Sequence, residues 1–168
     1  MARGPGGEAV TAASPGKQLD GFLSKYSPEV RALAKAVLRK MRVRLPGAYE
    51  LVYDNYNALA IGFGPTDKSS DAVFSIALYP RWVTLFFLQG AHLDDPDGLL
   101  RGTGKQVRSI VLEDASVLDR REIRALMKRA LQSSPKPIRR TTGGGGTLII
   151  KSVSANQRPR RPKPTAKR

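Results

Sequence analysis

Residues 72–89, AVFSIALYPRWVTLFFLQ, hold two apolar runs, 72–79 and 82–89, that are separated only by Pro80-Arg81. Runs of this length, rich in apolar and aromatic residues, are typical of buried strands. A two-residue connection is too short for a crossover helix, so the two strands must form an antiparallel hairpin. The stretch therefore predicts an antiparallel sheet at the centre of the protein.

Three further strands are predicted around this hairpin. YELVYD (49–54) alternates, NALAIGF (57–63) follows it closely, and QVRSIVLE (106–113) comes after a long loop. No helical pattern lies between consecutive strands, which leaves no room for parallel βαβ crossovers. The sheet is therefore predicted to contain about five strands, most of them antiparallel.

One helix is predicted before the strands and one after them. The first begins at Ser27-Pro28, a capping residue followed by proline, and carries an apolar stripe at helical spacing. The second follows Asp119, which has capping-box spacing to Glu122, and carries a similar stripe. This order predicts an α+β fold in which an N-terminal and a C-terminal helix pack on the same face of the sheet.

Charge and composition divide the chain into three parts. The net charge is +15, and ten of the 29 Lys and Arg residues lie in residues 132–168, which contain no acidic residue. Residues 1–17 are predicted to be a disordered arm and residues 18–131 the α+β domain. Residues 132–168 are predicted to be a basic, Gly- and Pro-rich tail, disordered from residue 155 onward. Within it, residues 147–153 either add an edge strand or stay outside the sheet.

The loop at 98–105, GLLRGTGK, contains glycines and a lysine but does not fit a nucleotide-binding P-loop. That motif needs G-x-x-x-x-G-K-[ST] between a strand and a helix. Here five residues separate Gly98 from Gly104, Gln106 replaces the hydroxyl residue, and a strand follows. Gly102 and Gly104 are therefore predicted to form a structural turn, because glycine permits backbone angles that other residues rarely adopt.

This loop and its surroundings resemble the YdhG-like family, which was first defined as a domain of unknown function. The family pattern is DP-x-G-L-L-x-G-T-G-K, followed by an arginine-bearing strand and a helix. Asp95-Pro96, the GLLRGTGK loop and Arg108 carry the resemblance, which extends over about residues 20–131. It implies a small antiparallel α+β domain with no settled activity. Because the family has been likened to frataxin-type iron chaperones, it also implies a metal carrier as an alternative function.

The charge of the first helix opposes that alternative, since frataxin-like iron delivery uses an acidic first helix. The helix here has one acidic residue, Glu29, beside Arg31, Lys35, Arg39, Lys40 and Arg42. The chain has no cysteine and one histidine, His92, which excludes disulfides and a zinc site with several imidazoles. Asp94, Asp95 and Asp97 beside His92 are interpreted as turn formers. We expect no metal site and no cofactor.

The candidate ligand-binding residues are polar side chains in or beside loops: Tyr53, Asp54, Asn55, His92, Lys105 and Arg108. The stretch YDNYN (53–57) either lines a pocket or forms a hairpin turn. The cations of the glycine loop either form an anion site with its backbone amides or face solvent. Trp82 is expected to pack on the sheet rather than stack on a ligand.

The tail offers a second kind of candidate site, because basic arms contact nucleic-acid phosphates. Its candidate nucleic-acid contacts are Arg158, Arg160, Arg161 and Lys163. The alternative is a solubilising tail with no partner. No motif for sequence-specific recognition is visible, so any binding is expected to be non-specific.

Three functions follow as hypotheses. The first is a non-enzymatic YdhG-like module that binds an unidentified small molecule or protein. The second is association with nucleic acid through the tail, and the third is a frataxin-like metal carrier. No nucleophile–base pair can be assigned, although catalysis stays open. The sequence shows neither a secretory signal nor a run that could cross a bilayer, so we expect a cytoplasmic protein without a membrane partner.

Overall fold

The computed structural model describes residues 13–140 and 146–164. Its helices are α1 (Pro15–Leu23), α2 (Pro28–Arg44) and α3 (Arg121–Ser133). Its strands are β1 (Tyr49–Asp54), β2 (Leu59–Gly64), β3 (Phe74–Leu78), β4 (Val83–Phe87), β5 (Arg108–Leu112) and β6 (Leu148–Val153). They form one sheet in the order β5-β4-β3-β2-β1-β6, antiparallel except for the β1–β6 pair. The predicted α+β class and mostly antiparallel sheet are confirmed.

The hydrophobic core lies between the three helices and one face of the sheet. On that face, Ile61, Ile76 and Leu85 are cross-strand neighbours and are fully buried. Buried residues of α1, α2 and α3 belong to the same apolar cluster. Because side chains alternate along a strand, the opposite face of the sheet carries a separate set of residues that the helices do not cover.

Tyr26 joins the helices to the sheet. This residue lies in the connection between α1 and α2 and is buried, and its hydroxyl donates a hydrogen bond to the Leu78 carbonyl at 2.9 Å. The same hydroxyl accepts a hydrogen bond from the Leu59 amide at 3.1 Å. One side chain therefore fixes the position of the α1–α2 connection against the adjoining ends of β2 and β3.

The predicted cap of α3 was wrong. Arg120, not Asp119, is the residue at the helix start, and no side chain caps it. Asp119 instead ends a 3₁₀ turn at Ala115–Asp119 and forms ion pairs with Lys40 and Arg44 of α2. The Asp119 carboxylate therefore connects the turn before α3 to α2. It does not form the capping hydrogen bond that the sequence spacing predicted.

The described fold extends beyond residues 18–131 at both ends. The helix α1 begins at Pro15 and is capped by Ser14, so residues 15–17 are part of the fold and not of a disordered arm. Residues 1–12, 141–145 and 165–168 lie outside the described residues. At the other end, β6 belongs to the sheet, which has six strands within the described residues.

The strand β6 pairs in parallel with the outer edge of β1. The ladder extends beyond the strand at each end, with hydrogen bonds from Glu50 N to Thr147 O and from Ser154 N to Asp54 O, both 2.8 Å. Leu148 and Ile150 of β6 also pack against the core. The open alternative for residues 147–153 is thus resolved in favour of an edge strand, and the tail beyond it lies close to the domain.

Candidate functional site

The predicted ligand-binding residues do not converge on one pocket. Tyr53, Asp54 and Asn55 lie where β1 ends, next to the turn into β2. His92 lies at the opposite end of the sheet, in the 3₁₀ turn (Gly90–His92) that follows β4. Lys105 and Arg108 lie in and after the loop that enters the edge strand β5. The first group therefore lies apart from the other two, which adjoin each other, since the Ala91 amide donates to the Gln106 carbonyl at 2.9 Å.

Asp54 is the centre of a buried charged cluster that also contains the tail. Its side chain is 1% exposed, and its carboxylate accepts hydrogen bonds from Arg160 Nη2 and Lys25 Nζ, each at 2.9 Å. Gln157 donates to the Asp54 backbone carbonyl at 3.1 Å. The Arg160 guanidinium lies over the Tyr26 ring, 5.9 Å from its centroid. We name this set of five residues the tail clamp, because it holds the C-terminal segment on the domain.

The tail clamp keeps Asp54 ionised. Burial works to raise the pKa of this carboxyl group, but the surrounding hydrogen bonds and the positive charge of Lys25 together lower it by more, so the pKa lies below its ordinary value. With 1% of its side chain exposed and one cation on each oxygen, the Asp54 carboxylate is a compensated charge enclosed by the tail clamp. Asp54 is therefore a structural residue rather than a ligand-binding one.

Arg160 does not fit its predicted role as a nucleic-acid contact. Its residue exposure is 5%, and besides Asp54 it donates to the backbone carbonyls of Asn55 and Tyr56. A guanidinium that is buried and paired with a carboxylate cannot reach a phosphate. Arg158, Arg161 and Lys163 are exposed, although Arg161 also donates to the Lys25 carbonyl at 3.2 Å. The prediction that the chain is disordered from residue 155 is wrong for the described residues up to 164.

His92 lies at the rim of a cavity of about 350 Å³ at the other end of the sheet. Its walls come from the loop before β3, the end of β4, the 90–92 turn and the C-terminal end of α3. The cavity floor is apolar: Val73, Phe87, Leu93 and Ala130. The rim is polar: Ser70, Asp71, Gln89, His92, Ser133, Ser134 and Lys136. We name this space the terminal cavity.

Two of the residues that line the terminal cavity form an ion pair. Lys136 Nζ lies 3.0 Å from Asp71 Oδ2, and Thr66 Oγ1 donates to the same oxygen at 2.6 Å. The hydrogen bonds from Thr66 and Lys136 hold the pKa of Asp71 below its ordinary value. The Asp71 carboxylate therefore stays charged at neutral pH, and it offsets the positive charge of Lys136 at the cavity rim.

The glycine loop is organised around Arg108. The guanidinium donates to the carbonyl oxygens of Gly104 at 2.6 Å and Val107 at 2.8 Å. It is thus used to hold the loop backbone, while Lys105 is exposed to solvent. Asp95 has a similar task, because its carboxylate accepts hydrogen bonds from the amides of Leu99 and Leu100.

Only one of the two glycines predicted to be structural has a backbone reason to be glycine. Gly102 has φ of +124°, and a Cβ there would lie 3.3 Å from the Val107 carbonyl oxygen. Gly104 is not among the glycines with positive φ, and a Cβ there would meet nothing within 4 Å. Gly104 is therefore replaceable, contrary to the prediction.

Gly102→Ala is expected to lower the free energy of unfolding by about 1 kcal/mol, because alanine is strained at positive φ. Gly104→Ala is the matched control, two residues away in the same loop, and should stay within about 0.5 kcal/mol of wild type. Urea unfolding followed by circular dichroism gives both values. Equal stability of the two variants would contradict a structural role for Gly102.

A second concave surface lies on the face of the sheet opposite the helices. It has a volume of about 380 Å³ and lies beside the β1–β2 turn. Residues with small side chains, Ala60, Ser75 and Ala77, form its floor on three adjacent positions of β2 and β3. Asn55, Tyr56, Tyr79 and Phe86 form its sides. Of the predicted ligand-binding residues, Asn55 alone lies here.

Trp82 was predicted to pack on the sheet, but 46% of it is exposed. Its ring lies against Tyr79, with centroids 5.6 Å apart and planes tilted by 32°. Tyr56 is also exposed, at 54%. Trp82 lies at the hairpin end, just before β4, where about half of the residue stays in contact with solvent.

Within residues 13–140 and 146–164, no group of three or more His, Cys, Asp or Glu side chains could hold a metal ion. No helix in the same part of the chain is long and apolar enough to cross a membrane.

In comparisons with known proteins, no family model matches the chain, and neither the curated proteins nor the solved structures give a significant match.

Proposed function

We propose that the protein is a non-enzymatic binding module that holds a small organic molecule in the terminal cavity. The observation that carries this proposal is the combination of an apolar floor with a polar rim in a space of about 350 Å³. Ligand sites in proteins have this volume and this distribution of polar groups. The expected YdhG-like family membership is part of the proposal and rests on the resemblance of the glycine loop alone.

The chemistry of the cavity favours a ligand with an apolar body and one neutral polar group. Leu93, which is partly exposed, and Val73 offer an apolar surface to the apolar body. Gln89, His92 and the rim serines can donate or accept hydrogen bonds. A carboxylate ligand is disfavoured for two reasons. The Asp71 carboxylate already neutralises Lys136, and it would repel the negative charge of the ligand.

Three probes with one ring and different polar groups test this proposal: benzamide, benzyl alcohol and benzoate. The two neutral probes are expected to raise the melting temperature, since a ligand that binds only the folded state stabilises it. Benzoate should raise it less. Because His92 is the only histidine, the carbon-bound protons of its ring give one set of nuclear magnetic resonance signals, and the neutral probes should shift them.

Two adjacent serines provide the controls. Ser70 lines the cavity, whereas Ser69 precedes it in the same 3₁₀ turn, is exposed and does not line the cavity. Ser70→Trp should block the mouth and abolish both probe effects, and Ser69→Trp should leave them unchanged. Absence of any effect of the three probes on wild-type protein, or an equal effect of the two substitutions, would refute the proposal.

A second candidate function is association with nucleic acid, which the exposed cations near the C-terminal segment favour. Arg158, Arg161 and Lys163 are exposed, and hydrogen bonds of residues 158, 160 and 161 hold this segment on the domain. Cations held at fixed positions lose less conformational entropy on meeting phosphates than cations on a disordered arm. Binding that weakens steeply with added salt in electrophoretic shift assays would support this candidate.

A further inference from the structure

The face of the sheet opposite the helices has the shape of a platform for flat rings. Ala60 and Ala77 are direct cross-strand partners, and Ser75 lies opposite Phe86. Because the side chains of Ala60, Ala77 and Ser75 are small, the centre of this face lies lower than its surroundings. The rings of Tyr79 and Phe86 rise beside it.

Aromatic side chains are concentrated at one end of this platform. The β1–β2 and β3–β4 turns lie at the same end of the sheet, since Leu59 pairs with both Asp54 and Leu78. Tyr56 lies in the first turn, while Tyr79 and Trp82 flank the second. Tyr56 and Trp82 are about half exposed, so their rings have surface left for another ring to stack on.

Polar and cationic groups surround these rings. The amide side chains of Asn55 and Asn57 line the same surface and can pair with the polar edge of a base. Arg81 is exposed in the β3–β4 turn. Arg158 is exposed as well, and its backbone amide donates to the Tyr56 carbonyl at 2.9 Å. Cations thus lie next to the aromatic platform on two sides.

We propose that this face of the sheet binds single-stranded nucleic acid, with one or two bases stacked on Tyr56, Tyr79 and Trp82. The phosphates then lie along Arg81 and Arg158. Base stacking on aromatic side chains beside a positively charged surface is the physical basis of single-strand binding in general. A duplex cannot use the platform, because its bases are already stacked on one another. The inference rests on the second candidate function and assigns that function a site and a strand preference.

The experiment uses the full chain and two fluorescein-labelled probes of equal length, an oligothymidylate and a duplex. Fluorescence anisotropy over a range of salt concentrations gives the two affinities. We expect the single strand to bind about tenfold more tightly, which corresponds to the stacking of about one base. Trp82 is the only tryptophan, so unlabelled oligothymidylate should also quench the intrinsic protein fluorescence, while the duplex should not.

Tyr56→Ala should weaken single-strand binding about tenfold and leave duplex binding unchanged. Tyr56→Leu keeps an apolar side chain without an aromatic ring and should behave like Tyr56→Ala. Two double variants test the cations. Arg81→Ala combined with Arg158→Ala should reduce single-strand affinity more than Arg124→Ala combined with Lys128→Ala. The second pair is exposed on α3, on the opposite side of the sheet, and removes the same amount of charge.

The outcomes separate the inference from the function on which it rests. Equal affinity for the two probes, with no effect of the Tyr56 substitutions, would refute base stacking on this face. Association with nucleic acid through charge alone would then remain. No binding of either probe would overturn both. A wild-type dimer in analytical ultracentrifugation that Tyr56→Ala converts to monomer would show that a second copy covers this face, and would also overturn the inference.

Discussion

Replacing Arg160 with alanine is expected to lower the free energy of unfolding by about 3–5 kcal/mol, as when one partner of a buried ion pair is removed. The Asp54 carboxylate would stay buried, with Lys25 as its remaining cationic partner, and the Lys25 side chain is 43% exposed. The substitution also removes the contact with the Tyr26 ring. Urea unfolding followed by circular dichroism measures the loss.

Arg161→Ala is the matched control, since Arg161 is the neighbouring arginine and is exposed. It should change the free energy of unfolding by about 0.5 kcal/mol or less. The double variant Asp54→Leu with Arg160→Met should recover part of the loss, because it leaves no unpaired buried charge. Equal effects of the two arginine substitutions would show that the tail clamp does not stabilise the fold.

The same variants differ in their response to acid. The folded-state pKa of Asp54 is below its ordinary value, so the carboxylate contributes stability that is present above the unfolded-state pKa. That stability is lost as the pH falls through the folded-state pKa. Without Arg160 the folded-state pKa rises toward the unfolded-state pKa, so less stability is lost on acidification and the pH profile should be shallower. Parallel pH profiles of wild type and Arg160→Ala would contradict this.

Tyr26→Phe is expected to lower the free energy of unfolding by about 1–3 kcal/mol. The ring stays in place, but the Leu59 amide loses its acceptor and the Leu78 carbonyl loses its donor, and both are buried. Tyr56→Phe provides the control, because the exposed side chain of Tyr56 has no such task in the core. Thermal and urea unfolding of the two variants should differ clearly, and similar curves would mean that the Tyr26 hydroxyl is dispensable.

The sequence was sufficient for the local elements of the fold. The two-residue connection at Pro80-Arg81 predicted the β3–β4 hairpin, which the structure contains with Leu78 opposite Val83. The cap at Ser27 and the proline after it predicted the start of α2. These predictions succeeded because the signals act between residues close together in the chain, where backbone geometry leaves few alternatives.

The tail was misread for a physical reason. Its high charge and its prolines are typical of disorder, and composition gave no sign that Arg160 has a partner 106 residues earlier. The terminal cavity escaped prediction in a similar way, because three separate segments of the chain form it and only His92 among its lining residues was predicted to bind a ligand. Long-range pairing of this kind leaves no local pattern. A truncation at residue 132 would therefore remove β6 and the tail clamp together with the predicted nucleic-acid contacts.

The position of β6 also bears on how the nascent chain folds. β6 emerges from the ribosome after the other described strands, yet it covers the edge of β1, the earliest of the strands that the structure describes. Until then the backbone amides and carbonyls of β1 on that side have no partner, and an open strand edge invites pairing with another chain. Aggregation of incomplete chains during synthesis is the hazard that this topology carries.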